Sequence, residues 1–183
     1  EGDPVLWWSP DPRFVLFPGE LKVSRSLRQT IKKGAYRITL DTAFREVIEG
    51  CAAADRKDQG GTWITPEMTG AYISLHRSGF AHSVEAWSDG VLAGGLYGIS
   101  LGSAFFGESM FTKRTNASKA AFAVLVRQLE AWGFTLIDCQ VPTQHLRSLG
   151  AHEISRSAFM EMLGAALETP TRKGKWELTL QAS

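Results

Sequence analysis

The chain has 183 residues, with 20 Lys and Arg against 19 Asp and Glu, a net charge of +1 and a hydrophobic share of 44%. These values exclude disordered, collagen-like and coiled-coil chains and describe one ordinary folded domain. A domain of this length buries roughly 70% of the surface its unfolded chain exposes, so a core forms without disulfide or metal staples.

Taken in order, Leu6 to Trp8 and Phe14 to Phe17 read as short strands around the turn Ser9-Pro10-Asp11-Pro12. Ser24 to Lys33 is a basic helix, and Tyr36 to Leu40 alternates as a strand. Asp41 or Thr42 then caps a helix whose apolar positions Ala43, Phe44, Val47, Ile48 and Cys51 keep the 3.6 period. Ala54 to Gly61 is a polar loop. Thr65 with Pro66 opens the next helix, Gly79 closes it, and Met68, Tyr72 and Leu75 line one side.

From Phe80 the pattern changes to strands. Residues 81–87, 91–99 and 104–110, joined at Asp89-Gly90 and Gly102-Ser103, form an antiparallel meander. A strong helix follows from Ser118 to Trp132, with Ala121, Val124, Leu125, Leu129 and Trp132 as its core stripe and Gly133 as its stop. Phe134 to Cys139 is a buried strand, His145-Leu146 a short helix, Ala158 to Leu167 a helix, and Trp176 to Leu180 a closing strand. The fold class is therefore α/β (α+β): a meander followed by helix, strand, helix and strand, which is the order of the N-acetyltransferase-like fold. Fold alone does not give function.

Charge is uneven along the chain. Six cations and no acid lie between Glu20 and Asp41, which leaves the remainder at −5. Arg25, Arg28 and Lys32 recur at helical spacing, and they read either as a solvated helix face or as a phosphate-contacting patch. Lys113, Arg114 and Lys119 form a second basic cluster. The uncharged run from Gly90 to Gly107 holds six glycines and two serines, a composition for strands and not for a membrane span. Cys51 and Cys139 are expected as reduced thiols of a cytosolic protein.

One catalytic pattern is present in outline but fails in context, and two others are absent. Gly98-Ile99-Ser100-Leu101-Gly102 matches a hydrolase nucleophile elbow, but a strand follows where the elbow needs a helix. The four histidines lack metal-ligand spacing, so no metal is expected. A coenzyme-A acyltransferase needs a glycine-rich loop before the helix at Ser118, and Arg114-Thr115-Asn116-Ala117-Ser118-Lys119 contains no glycine. Coenzyme-A-dependent N-acyltransfer remains the second reading, and a non-catalytic peptide or RNA-binding module the third.

Strand alternation isolates one constellation. In Phe134-Thr135-Leu136-Ile137-Asp138-Cys139-Gln140, Asp138 and Gln140 are expected on one face about 7 Å apart, either as reactive groups or as caps for the turn at Pro142. Glu108 ends the uncharged run and is expected on the face of Ala104, Phe106 and Met110, as a site residue or as the partner of Lys113 or Arg114.

Five segments in order, Leu6-Trp7-Trp8-Ser9-Pro10-Asp11-Pro12-Arg13, Gly61-Thr62-Trp63-Ile64-Thr65, Gly107-Glu108-Ser109-Met110-Phe111, Asn116-Ala117-Ser118-Lys119 and Leu136-Ile137-Asp138-Cys139-Gln140, resemble the bacterial leucyl/phenylalanyl-tRNA–protein transferases. The resemblance spans residues 6 to about 163 and implies the same fold. It implies transfer of Leu or Phe, less often Met, from aminoacyl-tRNA to the N-terminal Arg or Lys of an acceptor protein, marking it for N-end-rule degradation. No metal or organic cofactor is implied, and a cytoplasmic monomer is expected.

By the same resemblance, Asp138 accepts or orients the amine proton, Gln140 relays or positions it, and Glu108 holds the acceptor's charged N-terminus. Leu96, Phe105, Leu125 and Ile137 would line a pocket for the Leu or Phe side chain, or serve as plain core. Trp63 would stack on the terminal adenosine, or serve as a core tryptophan, and Tyr72 would line the acceptor-peptide site. Arg25, Arg28, Lys32, Lys113, Arg114 and Lys119 would grip the tRNA backbone without reading its sequence. Family members usually carry a further segment before Trp-Trp-Ser-Pro, with a tryptophan that also contacts the adenosine. Residues 1–12 are accordingly expected as the remnant of a small N-terminal subdomain, and residues 13–183 as the catalytic domain.

Overall fold

Residues 9–54 and 62–180 are described by the structure, a computed structural model. The strand expected at Leu6 to Trp8 and most of the loop at Ala54 to Gly61 lie outside these residues. Strands β1 (Arg13–Leu16), β2 (Arg37–Leu40), β3 (Ala81–Ser88), β4 (Val91–Leu101), β5 (Ala104–Thr112), β6 (Leu136–Gln140) and β7 (His152–Ile154) make one sheet in the order β2-β3-β4-β5-β6-β1-β7. Among the described residues there are six α-helices: α1 (Arg25–Lys32), α2 (Phe44–Ala52), α3 (Pro66–Arg77), α4 (Ala117–Ala131), α5 (Gln144–Arg147) and α6 (Arg156–Leu167).

The meander β3-β4-β5 is antiparallel as expected, and its turns fall at Gly90 and Gly102, both with positive φ. β5 and β6 then run parallel, from the pair Ala104–Leu136 to the pair Phe106–Asp138. Helix α4 covers one face of the sheet over a core that includes Phe14, Leu16, Val84, Leu129 and Trp176. The other face carries α2 and α3 over Phe44, Val47, Ile48, Tyr72 and Phe111, and α6 over Val15, Leu136 and Phe159.

Caps explain most helix starts. Ser24 Oγ accepts from Leu27 N, Thr65 Oγ1 from Met68 N, and Ser155 Oγ from Ala158 N. Helix α2 departs from expectation: the Glu85 carboxylate, from β3, accepts the main-chain N–H groups of Thr42 and Ala43, while Asp41 turns away from the helix. A buried anion at a helix start satisfies orphan donors and the helix dipole together. Leu75 also departs, being exposed, while Met68 and Tyr72 face the core.

The closing strand does not form. Trp176 is buried and donates its main-chain N–H to Asp41 Oδ2 at 2.7 Å. Thr179 and Leu180 donate theirs to Gln128 Oε1 at 2.8 and 3.1 Å. Side-chain acceptors from β2's end and α4 thus replace a strand ladder. In its place the sheet gains the short β7 beside β1, which the sequence pattern did not announce. Cys51 and Cys139 form no disulfide. No helix among the described residues is long and apolar enough to cross a membrane.

Candidate active site

The parallel pairing of β5 with β6 stops at Phe106 and Asp138, and the site residues lie just past that point. Two bulges set their directions. On β5, Gly98 of β4 faces Gly107 while Tyr97 faces Ser109, so Glu108 is an inserted residue. The insertion reverses the alternation: Phe105 and Met110 pack on the α4 side, whereas Phe111 packs under α2 and α3. Glu108 therefore does not share a face with Met110, contrary to the simple period-2 reading. It meets the Tyr72 hydroxyl from α3 instead.

On β6, Val15 faces Asp138 while Phe14 faces Gln140, which leaves Cys139 as the extra residue. Gln140 takes a φ of +64°, and Val141 N closes a tight turn on Cys139 O at 2.8 Å. Asp138 and Gln140 are thus not two successive side chains on one extended face. The chain doubles back so that Gln140 N donates to Asp138 Oδ1 at 2.9 Å, and Gln140 Nε2 donates to Gly107 O at 3.3 Å.

A continuous run of contacts results. Asp138 is fully buried and forms a two-pronged ion pair with Arg13, at 2.9 Å from Nε to Oδ1 and 2.6 Å from Nη2 to Oδ2. The Gln140 amide and the Tyr72 hydroxyl both lie where they favour the Glu108 carboxylate. Burial pushes the Glu108 carboxyl above its ordinary value, against those two groups, and the nearby Asp138 carboxylate adds to the rise while Arg13 opposes it. Burial, then the Glu108 charge, lifts the Tyr72 hydroxyl above its ordinary range. Trp63, 42% exposed, stands edge-on to Tyr72 with ring centroids 6.2 Å apart. Sequence reasoning singled out every member of this run except Arg13, whose only signal was its place at the end of the Trp-Trp-Ser-Pro-Asp-Pro-Arg segment.

The remaining expected residues fall in two places. Leu96, Phe105, Leu125 and Ile137 belong to one cluster beneath α4, each at most 2% exposed. Arg25, Arg28 and Lys32 are exposed on α1, and the segment after β5 is tied to that region through Asn116 Nδ2 to Thr30 Oγ1 (3.4 Å) and Tyr36 Oη to Thr115 O (2.7 Å). The two basic clusters thus adjoin. Within the second, Arg114 is paired with Asp89 at 3.0 Å, Lys113 lies over the Phe111 ring, and Lys119 sits near His145, whose pKa falls through burial and then that charge. Ala117 and Ser118 are buried at the start of α4, where a Cβ on Gly94 would meet Ala117 Cβ at 2.9 Å. Among the described residues no group of three or more His, Cys, Asp and Glu is placed to hold a metal ion.

A family model described as leucyl/phenylalanyl-tRNA protein transferase matches residues 15–164. A leucyl/phenylalanyl-tRNA–protein transferase of Desulfatibacillum aliphaticivorans is 60% identical over 179 residues, 97% of this chain and 76% of that protein. One of Myxococcus xanthus is 57% identical over 96% of this chain and 75% of its own. Among solved structures, a GCN5-related N-acetyltransferase from Kribbella flavida is similar with a TM-score of 0.46 and 15% identity, over 80% of this chain and 55% of that one.

Proposed function

The chain belongs to the leucyl/phenylalanyl-tRNA protein transferase family, and from that premise we propose that it moves Leu or Phe, less often Met, from aminoacyl-tRNA to the N-terminal Arg or Lys of acceptor proteins. The product would enter N-end-rule degradation, and the enzyme would act as a cytoplasmic monomer without a cofactor. The observation that carries the reading is the Glu108–Gln140–Asp138 constellation at the parting of β5 and β6.

The chemistry needs little more than this. The acceptor α-amine attacks the ester carbonyl at the tRNA 3′ end, so an ammonium must lose a proton and the developing oxyanion must meet donors. Glu108 is a partly buried anion suited to holding that ammonium, and the Gln140 amide beside it can position the proton or donate to the oxyanion. Asp138 accepts or orients the proton at one remove. Trp63 offers an exposed ring face for the terminal adenosine, and Tyr72 borders the acceptor's path.

Leu96, Phe105, Leu125 and Ile137 form the apolar wall toward which the Leu or Phe side chain would be directed, with the partly buried Met110 at its edge. The adjoining cations of α1 and residues 113–119 would contact tRNA phosphates. A net charge of +1 suits an enzyme that takes hold mainly of the aminoacyl end.

The test incubates the protein with labelled Leu-tRNA or Phe-tRNA and a peptide beginning with Arg, beside the same peptide beginning with Ala. Label on the Arg peptide alone, lost in Asp138→Ala, supports the proposal. Equal labelling of both peptides, or none, refutes it.

A further inference from the structure

Asp138 is the acid of the site, yet it has little to offer an incoming amine. It is fully buried, and three of its roughly four acceptor positions are taken: Oδ1 accepts from Arg13 Nε and Gln140 N, and Oδ2 from Arg13 Nη2. The cation is as firmly built in as the anion. Arg13 begins β1, which is paired with β6 on one side and β7 on the other, and its guanidinium lies 5.0 Å above the Phe159 ring of α6. A planar fork matched to a carboxylate fixes both distance and orientation, which a single ammonium cannot.

The carboxylate in turn holds Gln140. A left-handed φ at a non-glycine residue persists only where surrounding bonds impose it. The Gln140 N–H to Asp138 Oδ1 bond and the turn closed by Val141 N impose it here. The backbone so fixed sets the Gln140 amide on Gly107 O, 3.3 Å from Nε2, and so beside Glu108, whose carboxylate it and the Tyr72 hydroxyl favour.

We infer that Arg13 is a positioning residue of the transfer reaction: it clamps Asp138, Asp138 holds the Gln140 turn, and the Gln140 amide so aimed steadies Glu108 to take the proton of the attacking amine. This rests on the transferase reading above. In the step, the acceptor ammonium gives one proton to Glu108, and its nitrogen lone pair forms the new C–N bond. The ester C–O bond breaks as a second N–H proton passes to the departing tRNA 3′-oxygen, and Glu108 then returns its proton to solvent.

The groups facing Glu108 are Tyr72 from α3, Gln140 and Asp138 from β6, and Arg13 from β1. Losing Arg13 removes a charge that favours the Glu108 carboxylate and frees the amide that also favours it. Both changes move the acid limb of kcat toward higher pH. A purely structural staple would change the amount of folded enzyme and leave that limb where it was.

The experiment measures transfer from Phe-tRNA to an Arg-initiated peptide across pH for the unsubstituted protein, Arg13→Lys, Arg13→Ala, Asp138→Ala and the Arg13→Ala/Asp138→Ala double variant. Expected is a fall in kcat on the order of 10²-fold for Arg13→Ala, KM for either substrate within about two-fold, and a raised acid limb. Arg13→Lys, which keeps the charge, should show the kcat loss with a smaller shift of the limb. The double variant should be no slower than Asp138→Ala. An Arg13→Ala protein with parental kcat, an unmoved acid limb, or losses that multiply in the double variant would each overturn the inference while leaving the transferase reading intact. Absence of transfer by the unsubstituted protein overturns both.

Discussion

His82 and Trp176 lie with their rings parallel, centroids 3.6 Å apart and planes 8° from each other, and the Asp41 carboxylate joins them. It sits 2.9 Å from His82 Nδ1 and accepts the Trp176 N–H at 2.7 Å. This buried contact fastens a C-terminal segment that forms no strand. Replacing Trp176 by Ala should destabilise the fold by about 3–5 kcal/mol, read as a lower urea midpoint. A shift of under about 1 kcal/mol would mean that the segment is held elsewhere.

Glu108 gives a stability effect of opposite sign to that of a paired carboxylate. Its carboxyl is raised from 4.5 by burial, so the folded chain binds this proton more tightly than the unfolded chain. Its contribution to stability is therefore lost as pH climbs from the unfolded value through the raised folded one, and the loss stays constant above. Glu108→Gln should thus gain in melting temperature relative to the parent as pH rises from 4 to 8, while transfer falls by about 10²-fold. A melting difference that stays flat over that range would contradict the assignment.

Tyr72→Phe keeps both edge-on ring contacts, with Trp63 and Tyr97, and removes the hydroxyl that favours the Glu108 carboxylate. The acid limb of kcat should move upward, with a stability change of about 1 kcal/mol. An unmoved limb would separate Tyr72 from the ionisation of Glu108.

Gly98 permits the bulge that carries Glu108. A Cβ there would press on the Phe106 carbonyl oxygen and stand 2.5 Å from Phe105 Cζ, so β5 would have to shift. Gly98→Ala is expected to cost about 1–3 kcal/mol and to lower kcat beyond what its folded fraction explains. Parental kinetics in the folded fraction would show that the bulge tolerates displacement.

Cys139 stands beside the site without serving it. Burial first, then the Asp138 charge, push its thiol up to about 12. It is almost entirely protonated at pH 8, and iodoacetamide should leave transfer unchanged in the folded protein. Rapid alkylation with loss of activity would place the thiol in the reaction path.

Much of the fold is legible in the sequence because its signals are local. The Asp89-Gly90 turn, the Thr65 cap and the α4 stripe ending at Gly133 each act within a few residues. The alternation of Trp176, Leu178 and Leu180 misleads, because the acceptors that engage this segment, Asp41 and Gln128, come from far along the chain. The same holds at the site. Glu108, Asp138 and Gln140 stand out as polar residues ending apolar runs, but an inserted residue on each strand reverses their facing, and composition does not register a bulge. Arg13 escapes notice because its partner is 125 positions away.

The place of β1 sets a schedule for the molecule. Among the described strands it comes first, yet it lies between β6 and β7, the last two of them in chain order. During synthesis Phe14, Val15 and Leu16 must wait, apolar and unpaired, until residues 136–154 have left the ribosome. The early sheet cannot close without them, and contacts of such long range form slowly. A ribosome stalled before residue 138 would therefore hold a chain with its meander complete and its Arg13–Asp138 clamp unmade. Such a fragment exposes a sticky strand, and the site is complete only once β6 has emerged and paired with β1.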